Sequence, residues 1–229
     1  MDIWVNDLYE PLYNFWKELQ HDGKRLQDVL IELKYRHPEP VSAKNLFLDA
    51  KEYLTNPNPT GSFPPYNESI WRAVAFYVVN KCSFSGLTES SSFSKQASES
   101  NFSLNGISKL YDYSVLIGNW KITNLSYEQL LTDDKECFTY LDPPYEIGSN
   151  LYGKRGSMHK SFDHDAFALD CDRFVSHQLI SYNSSQLIRD RFEGWKAAEF
   201  AHTYTMRSVG CYNTEQASRK ELVLLNYEN

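Results

Sequence analysis

Eight residues constrain this chain more than any others: Phe138-Thr139-Tyr140-Leu141-Asp142-Pro143-Pro144-Tyr145. Phe, Thr, Tyr and Leu suit a pleated surface, so the first four predict a short strand covered on both faces. Asp142 and the two prolines then end it abruptly, because proline donates no N–H to a ladder and fixes φ. The product is a rigid turn at a strand's carboxyl end, carrying one carboxylate, bare carbonyls and one ring. In open α/β sheets that edge is where ligands bind. An ordinary strand-ending turn is the plainer alternative, since Asp-Pro pairs often make one.

The flanking sequence supplies elements for such a sheet. Ile3-Trp4-Val5 predicts a strand ending at Asn6-Asp7, and Leu8, Leu12, Phe15 and Leu19 mark an amphipathic helix with Pro11 in its first turn. An acid between strand and helix is either a helix cap or, in doubly wound folds, a ribose ligand. Further helices are predicted around Leu26–Leu33, from a Ser42 cap through Leu54, from an Asn67 cap through Val78, and from Asn105-Gly106 to Gly118. They do not alternate with strands, so residues 23–118 read as a helical insertion between residues 1–22 and 119–229. Trp120–Asn124 predicts a strand and Tyr127–Leu131 a short helix. Beyond the turn, Asp163 opens a helix and Gln178–Tyr182 forms a strand. Asn183-Ser184-Ser185 then caps another helix, and Trp195–Met206 and Lys220–Tyr227 are the last strands.

Two stretches stand apart in composition. From Ser83 to Ser103 there are nine serines with Phe84, Phe93 and Phe102 among them, and a flexible linker has no use for three phenylalanines. Between Glu146 and Asp163 there is no acidic residue, while Lys154, Arg155, His159 and Lys160 fall there. That run is either a solvated loop or a place where a phosphate backbone passes. The overall charge of −7 argues against a general nucleic-acid coat but allows a local cationic groove. The four cysteines form no CxxC pair and read as reduced, buried small residues. Histidine spacing suggests no metal site, and there is no membrane-spanning or signal segment. A cytoplasmic protein of a bacterial or phage-infected cell is the expectation.

Asp142-Pro143-Pro144-Tyr145 resembles motif IV of the adenine-N6 DNA methyltransferases, most closely the Dam-like or D12 class common in phages and restriction–modification systems. The resemblance runs along most of the chain. It implies an α/β fold with a Rossmann-like methyltransferase sheet and an inserted helical target-recognition subdomain. It implies S-adenosylmethionine as methyl donor and double-stranded DNA with a flipped adenine as substrate. Asp7 is similar to the motif II acid that binds the donor's ribose, and Ser126, beside Asn124, stands at the motif III position. Asp142 also faces the cofactor. The segment around Ser85-Gly86 resembles the Phe-x-Gly element of the recognition region, and Ser181-Tyr182-Asn183-Ser184-Ser185 the motif that lines the base pocket. Thr88-Glu89-Ser90 stands where many members have an Arg, so the recognition sequence does not transfer.

The turn also suits the chemistry. An exocyclic adenine amine is a poor nucleophile because its lone pair is delocalised into the ring. Asp142 and the Pro143 carbonyl offer two acceptors that pull its N–H bonds out of plane. Tyr145 offers a face for a flipped base, and Pro144 holds the geometry.

The family's Phe-x-Gly-x-Gly loop, which precedes the motif II strand, has no counterpart here. Met1 stands two residues before Ile3, and Gly86 and Gly106 are single glycines in another context. The expectation is an N-terminally truncated or split chain whose sheet lacks its central first strand, with a separate N-terminal fragment carrying the glycine loop in the split case. A DNA-binding remnant without catalysis and an amine methyltransferase acting on RNA or protein remain the alternatives.

Overall fold

The computed structural model describes residues 2–56, 63–64, 68–84, 91–145, 162–201 and 220–228. They divide into two compact units, one reaching to Tyr127 and the other beginning at Glu128.

In the first unit, β1 (Trp4–Asn6) pairs in parallel with β2 (Lys121–Thr123), Val5 opposite Ile122. Asn6 closes the end of this pair. Its Nδ2 donates to the Leu125 carbonyl at 2.9 Å, and its Oδ1 accepts the Leu125 amide at 2.8 Å. Helices fill the sequence between the strands. The two helices expected over residues 8–33 are present, joined end to end in α1 (Glu10–Arg36) across a kink at Asp22, whose dihedrals are not helical. Asp22 Oδ1 accepts the Arg25 amide at 3.2 Å and so caps the second half. Beside it, Gly23 meets Ser114: a Cβ on Gly23 would lie 2.3 Å from Ser114 Cβ.

Helix α2 (Pro40–Thr55) begins two residues before the expected Ser42 cap. Pro40 presets φ at the first helical position, and Ser42 Oγ instead donates to the Glu39 carbonyl at 2.9 Å. Helix α3 (Ser69–Cys82) buries every residue from Ala73 to Val79 and packs on both α1 and α2, which is why its sequence is apolar all round. The expected Asn67 cap lies outside the described residues. Around α3 gather Leu19, Leu26 and Leu30 of α1 and Leu46 and Phe47 of α2, all but sealed from solvent.

The Ser/Phe segment is ordered packing wherever it is described. Ser94 caps α4 (Lys95–Ser100) and Ser103 caps α5 (Leu104–Ile107), each accepting an amide at 3.2 Å. Phe102 is fully buried against Tyr77, and Phe93 lies against Phe47. The single helix expected from Asn105-Gly106 to Gly118 is α5 followed by α6 (Leu110–Leu116). The short helix after β2 is one 3-10 turn, Tyr127–Gln129.

The second unit holds β3 (Phe138–Leu141), α7 (His164–Arg173), β4 (His177–Asn183), α8 (Gln186–Arg191), β5 (Lys196–Ala201) and β6 (Lys220–Leu225). Its sheet has the order β3-β4-β6-β5, with β3 and β4 parallel and β6 antiparallel to both neighbours. Gln178, Ile180 and Tyr182 of β4 share one fully buried face with Phe167 of α7 and Ile188 of α8. Asp163 caps α7 and Ser185 caps α8, as expected from sequence. One expectation is corrected here. Strand β3 is not covered on both faces: it pairs only with β4 among the described residues, and Phe138 and Tyr140 are more than half exposed. Its aromatic composition reflects a half-open edge strand rather than a central one.

Cys82 and Cys171 are buried, and burial pushes both thiols up to about 12. Cys137 is half-buried, correcting the expectation of uniform burial, and Cys211 lies outside the described residues. Among the described residues no helix is long and apolar enough to cross a membrane.

Candidate active site

Parallel pairing brings the carboxyl ends of β3 and β4 to one edge of the second unit's sheet. Leu141 sits opposite Ile180, so the next residues, Asp142 and Ser181, are neighbours across the strands. Ser181 Oγ donates to Asp142 Oδ1 at 2.7 Å, and Tyr140 Oη lies 3.0 Å from Ser181 Oγ. The Asp142 side is exposed, while Pro143 behind it is buried. Among the described residues nothing donates to the Pro143 carbonyl. The turn therefore carries a carboxylate and an unclaimed carbonyl on consecutive residues, two acceptors of the kind an amine with two N–H bonds requires.

Tyr145 is fixed at both ends. Its hydroxyl donates to Glu221 Oε2 at 2.6 Å, and its ring centroid lies 6.3 Å from that of Tyr182, the planes tilted by 31°. Tyr182 is itself fully buried, with its hydroxyl 2.7 Å from His164 Nδ1 and its ring among Phe167, Phe192 and His164. Glu221 reaches this edge because β6 runs antiparallel to β4, which sets Glu221 opposite Asn183. The Asn183 Oδ1 is buried with no hydrogen-bond partner among the described residues. An aromatic platform and a buried, unsatisfied amide acceptor thus stand at the strand ends that also carry the turn.

The first unit has its own strand-end group. Asp7 Oδ1 accepts the Tyr9 amide at 2.7 Å, an Asx turn that opens α1. The Asp7 amide donates to the Thr123 carbonyl, and Asn124 Nδ2 donates to the Asp7 carbonyl at 2.7 Å. Asp7 and Asn124 are joined at the carboxyl ends of β1 and β2, with half-buried Ser126 two residues beyond Asn124. Asp7 thus stands at a strand end and opens the helix through an Asx turn, with Tyr9 rather than Asp7 at the cap position.

Ser85, Lys154, Arg155, His159 and Lys160 lie outside the described residues. The Ser181 and Tyr140 hydroxyls, Glu221 and His164 were not singled out from sequence as site residues. Ser181 lies within a stretch whose resemblance was visible. Glu221 had no signal, because only the β4–β6 register brings it to Tyr145, 76 positions earlier in the chain.

A family model for the D12 class N6 adenine-specific DNA methyltransferases matches residues 1–206, nearly the whole chain. No curated protein matches it significantly.

Proposed function

Because this chain belongs to the D12 class N6 adenine-specific DNA methyltransferases, we propose that the turn Asp142-Pro143-Pro144-Tyr145 is where it methylates adenine in DNA. The observation that carries this reading is an exposed Asp142 carboxylate oriented by Ser181 at a strand's carboxyl end, three residues before a ring fixed by Glu221. Asp142 accepts one N–H of the adenine amine and the Pro143 carbonyl the other. Drawing both out of the ring plane localises the nitrogen lone pair. The carboxylate then offsets positive charge on the nitrogen, on the scale of about 3 kcal/mol for one well-placed polar group. The proton leaves only after the nitrogen is cationic, so no strong base is needed. Pro144 holds the turn, and Tyr145 stacks on the flipped base, worth about 1–3 kcal/mol.

S-adenosylmethionine, the donor the family implies, supplies an electrophilic methyl group when bound. Asp7 is proposed for its ribose, as a carboxylate acceptor at the carboxyl end of β1. Ser126 is proposed for the adenine end of the donor, and Asp142 as a further cofactor-binding residue. Residues 23–118 are proposed as the helical target-recognition insertion, and residues 1–22 and 119–229 as the Rossmann-like methyltransferase core. A strand carrying the family's glycine loop, for instance on a separate N-terminal fragment, would pair with the outer edge of β3, which has no strand partner among the described residues. Ser85, Lys154, Arg155, His159 and Lys160 are proposed to contact DNA, the cations mainly through phosphates, in the cytoplasm of a bacterial or phage-infected cell.

Transfer of labelled methyl groups from S-adenosylmethionine to duplex DNA tests this assignment. Asp142→Ala should lose transfer while DNA affinity stays within a few-fold, and full activity in that variant would overturn it.

A further inference from the structure

Hydroxyl protons can be counted at the Asp142 turn, and the count gives its hydrogen bonds a direction. An ionised carboxylate only accepts, so Ser181 Oγ–H must point at Asp142 Oδ1, 2.7 Å away. Serine has a single hydroxyl proton, now spent. The 3.0 Å contact between Tyr140 Oη and Ser181 Oγ is therefore a bond that Tyr140 donates. The three groups form a one-way relay across β3 and β4, Tyr140 to Ser181 to Asp142, and the partner strands are in fixed register. Among the described residues Asp142 has no other side-chain partner, so the second oxygen faces an exposed edge.

We infer that Ser181, held by Tyr140, is a positioning residue that locks the Asp142 carboxylate through one oxygen and presents the other to the substrate amine. This rests on the reading of Asp142 given above. The relay moves no proton; its effect is orientational. A carboxylate free to turn about its last bond would share its lone pairs between amine and solvent. One saturated from the Ser181 side has a single orientation to offer, and a loss of about 1 Å in placement is costly to a polarised transition state. Charge-assisted bonds of this kind are the stronger class, and each hydroxyl saturates the next, so the two contributions are serial rather than independent.

The test uses the full chain with Tyr140→Phe, Ser181→Ala, Ser181→Thr and the double variant Tyr140→Phe/Ser181→Ala. The readouts are labelled methyl transfer to duplex DNA and thermal unfolding. Ser181→Ala should lower kcat about tenfold with KM for DNA nearly unchanged, as expected for a charge-assisted bond at an exposed site. Tyr140→Phe should lower kcat less, Ser181→Thr should restore most of it, and the double variant should be no slower than Ser181→Ala alone. Full kcat in Ser181→Ala, or multiplied losses in the double variant, would overturn the inference. If the wild-type chain transfers no methyl group to adenine, the methyltransferase assignment of the turn fails, and Tm decides the relay: non-additive losses sustain it and additive losses overturn it.

Discussion

Asp7 and Asp142 each stand just past the carboxyl end of a parallel strand, yet their carboxylates are held in opposite ways. Asp7 bonds within its own segment, to the amide two residues on, and thereby opens α1. Asp142 is held from another strand, by Ser181, 39 positions later in the chain. The first acid shapes the backbone that carries it. The second is shaped by its neighbours and leaves its backbone to two prolines. A local bond ties Asp7 to the opening of its helix, and a cross-strand bond leaves Asp142 oriented but exposed, which suits a group that must meet a substrate amine.

Asp142→Ala should give the largest effect. Methyl transfer should fall at least about a hundredfold, on the scale of losing one key electrostatic group, with Tm hardly moved because the side chain is exposed. A large drop in Tm would break the contrast, because it would make Asp142 as structural as Asp7.

Gly23→Ala separates local from long-range control even more sharply. Judged by helix propensity alone, alanine within α1 should stabilise by about 0.5–1 kcal/mol. The contact 91 positions away reverses the sign, because the added Cβ would sit 2.3 Å from Ser114 Cβ. We expect a loss of about 1–3 kcal/mol by denaturant unfolding, typical of overpacking, recovered in part by Ser114→Gly.

The same division explains what the sequence disclosed. Many features set by near neighbours are legible: the strand ends before Asp7 and Asp142, the Asp163 and Ser185 caps, and the burial of α3. The Ser/Phe segment is legible as something other than a linker, because caps and core aromatics leave a compositional trace. Most of what escapes depends on register or on packing of distant segments. The open edge of β3 looked like a buried strand because aromatic residues suit both. Ser42 looked like a cap because Pro40, two residues earlier, was not weighed as the start. The Glu221–Tyr145 bond required knowing that β6 runs antiparallel beside β4.

Asp7 itself offers a smaller test. Asp7→Ala should cost about 1 kcal/mol through loss of the acceptor that opens α1. Asp7→Asn retains an acceptor for the Tyr9 amide, so its Tm should return toward wild type while affinity for S-adenosylmethionine in calorimetry stays reduced. Equal Tm for both variants would show that the Asx turn contributes nothing.

The smallest effect concerns Glu199, which accepts bonds from Lys220 at 2.6 Å, Ser184 at 2.5 Å and Arg189 at 2.9 Å. Lys220 first, then Ser184 and Arg189, hold its carboxyl down at about 2, below the ordinary 4.5. A carboxyl lowered on folding stabilises above its unfolded value, and that stability fades as pH falls from about 4.5 toward 2. Glu199→Gln should flatten this part of the Tm–pH curve slightly, and added salt should do the same because the cluster is at the surface. An unchanged curve would show that another group governs acid unfolding of the second unit.

The central claim, that the Asp142 turn methylates the N6 position of adenine, is most directly tested by nucleoside mass spectrometry. DNA would be taken from a host without adenine methylation that expresses either the wild-type chain or Asp142→Ala. The account predicts N6-methyladenine with the wild type and none with the variant. Equal N6-methyladenine from both, or methylcytosine as the product, would contradict it.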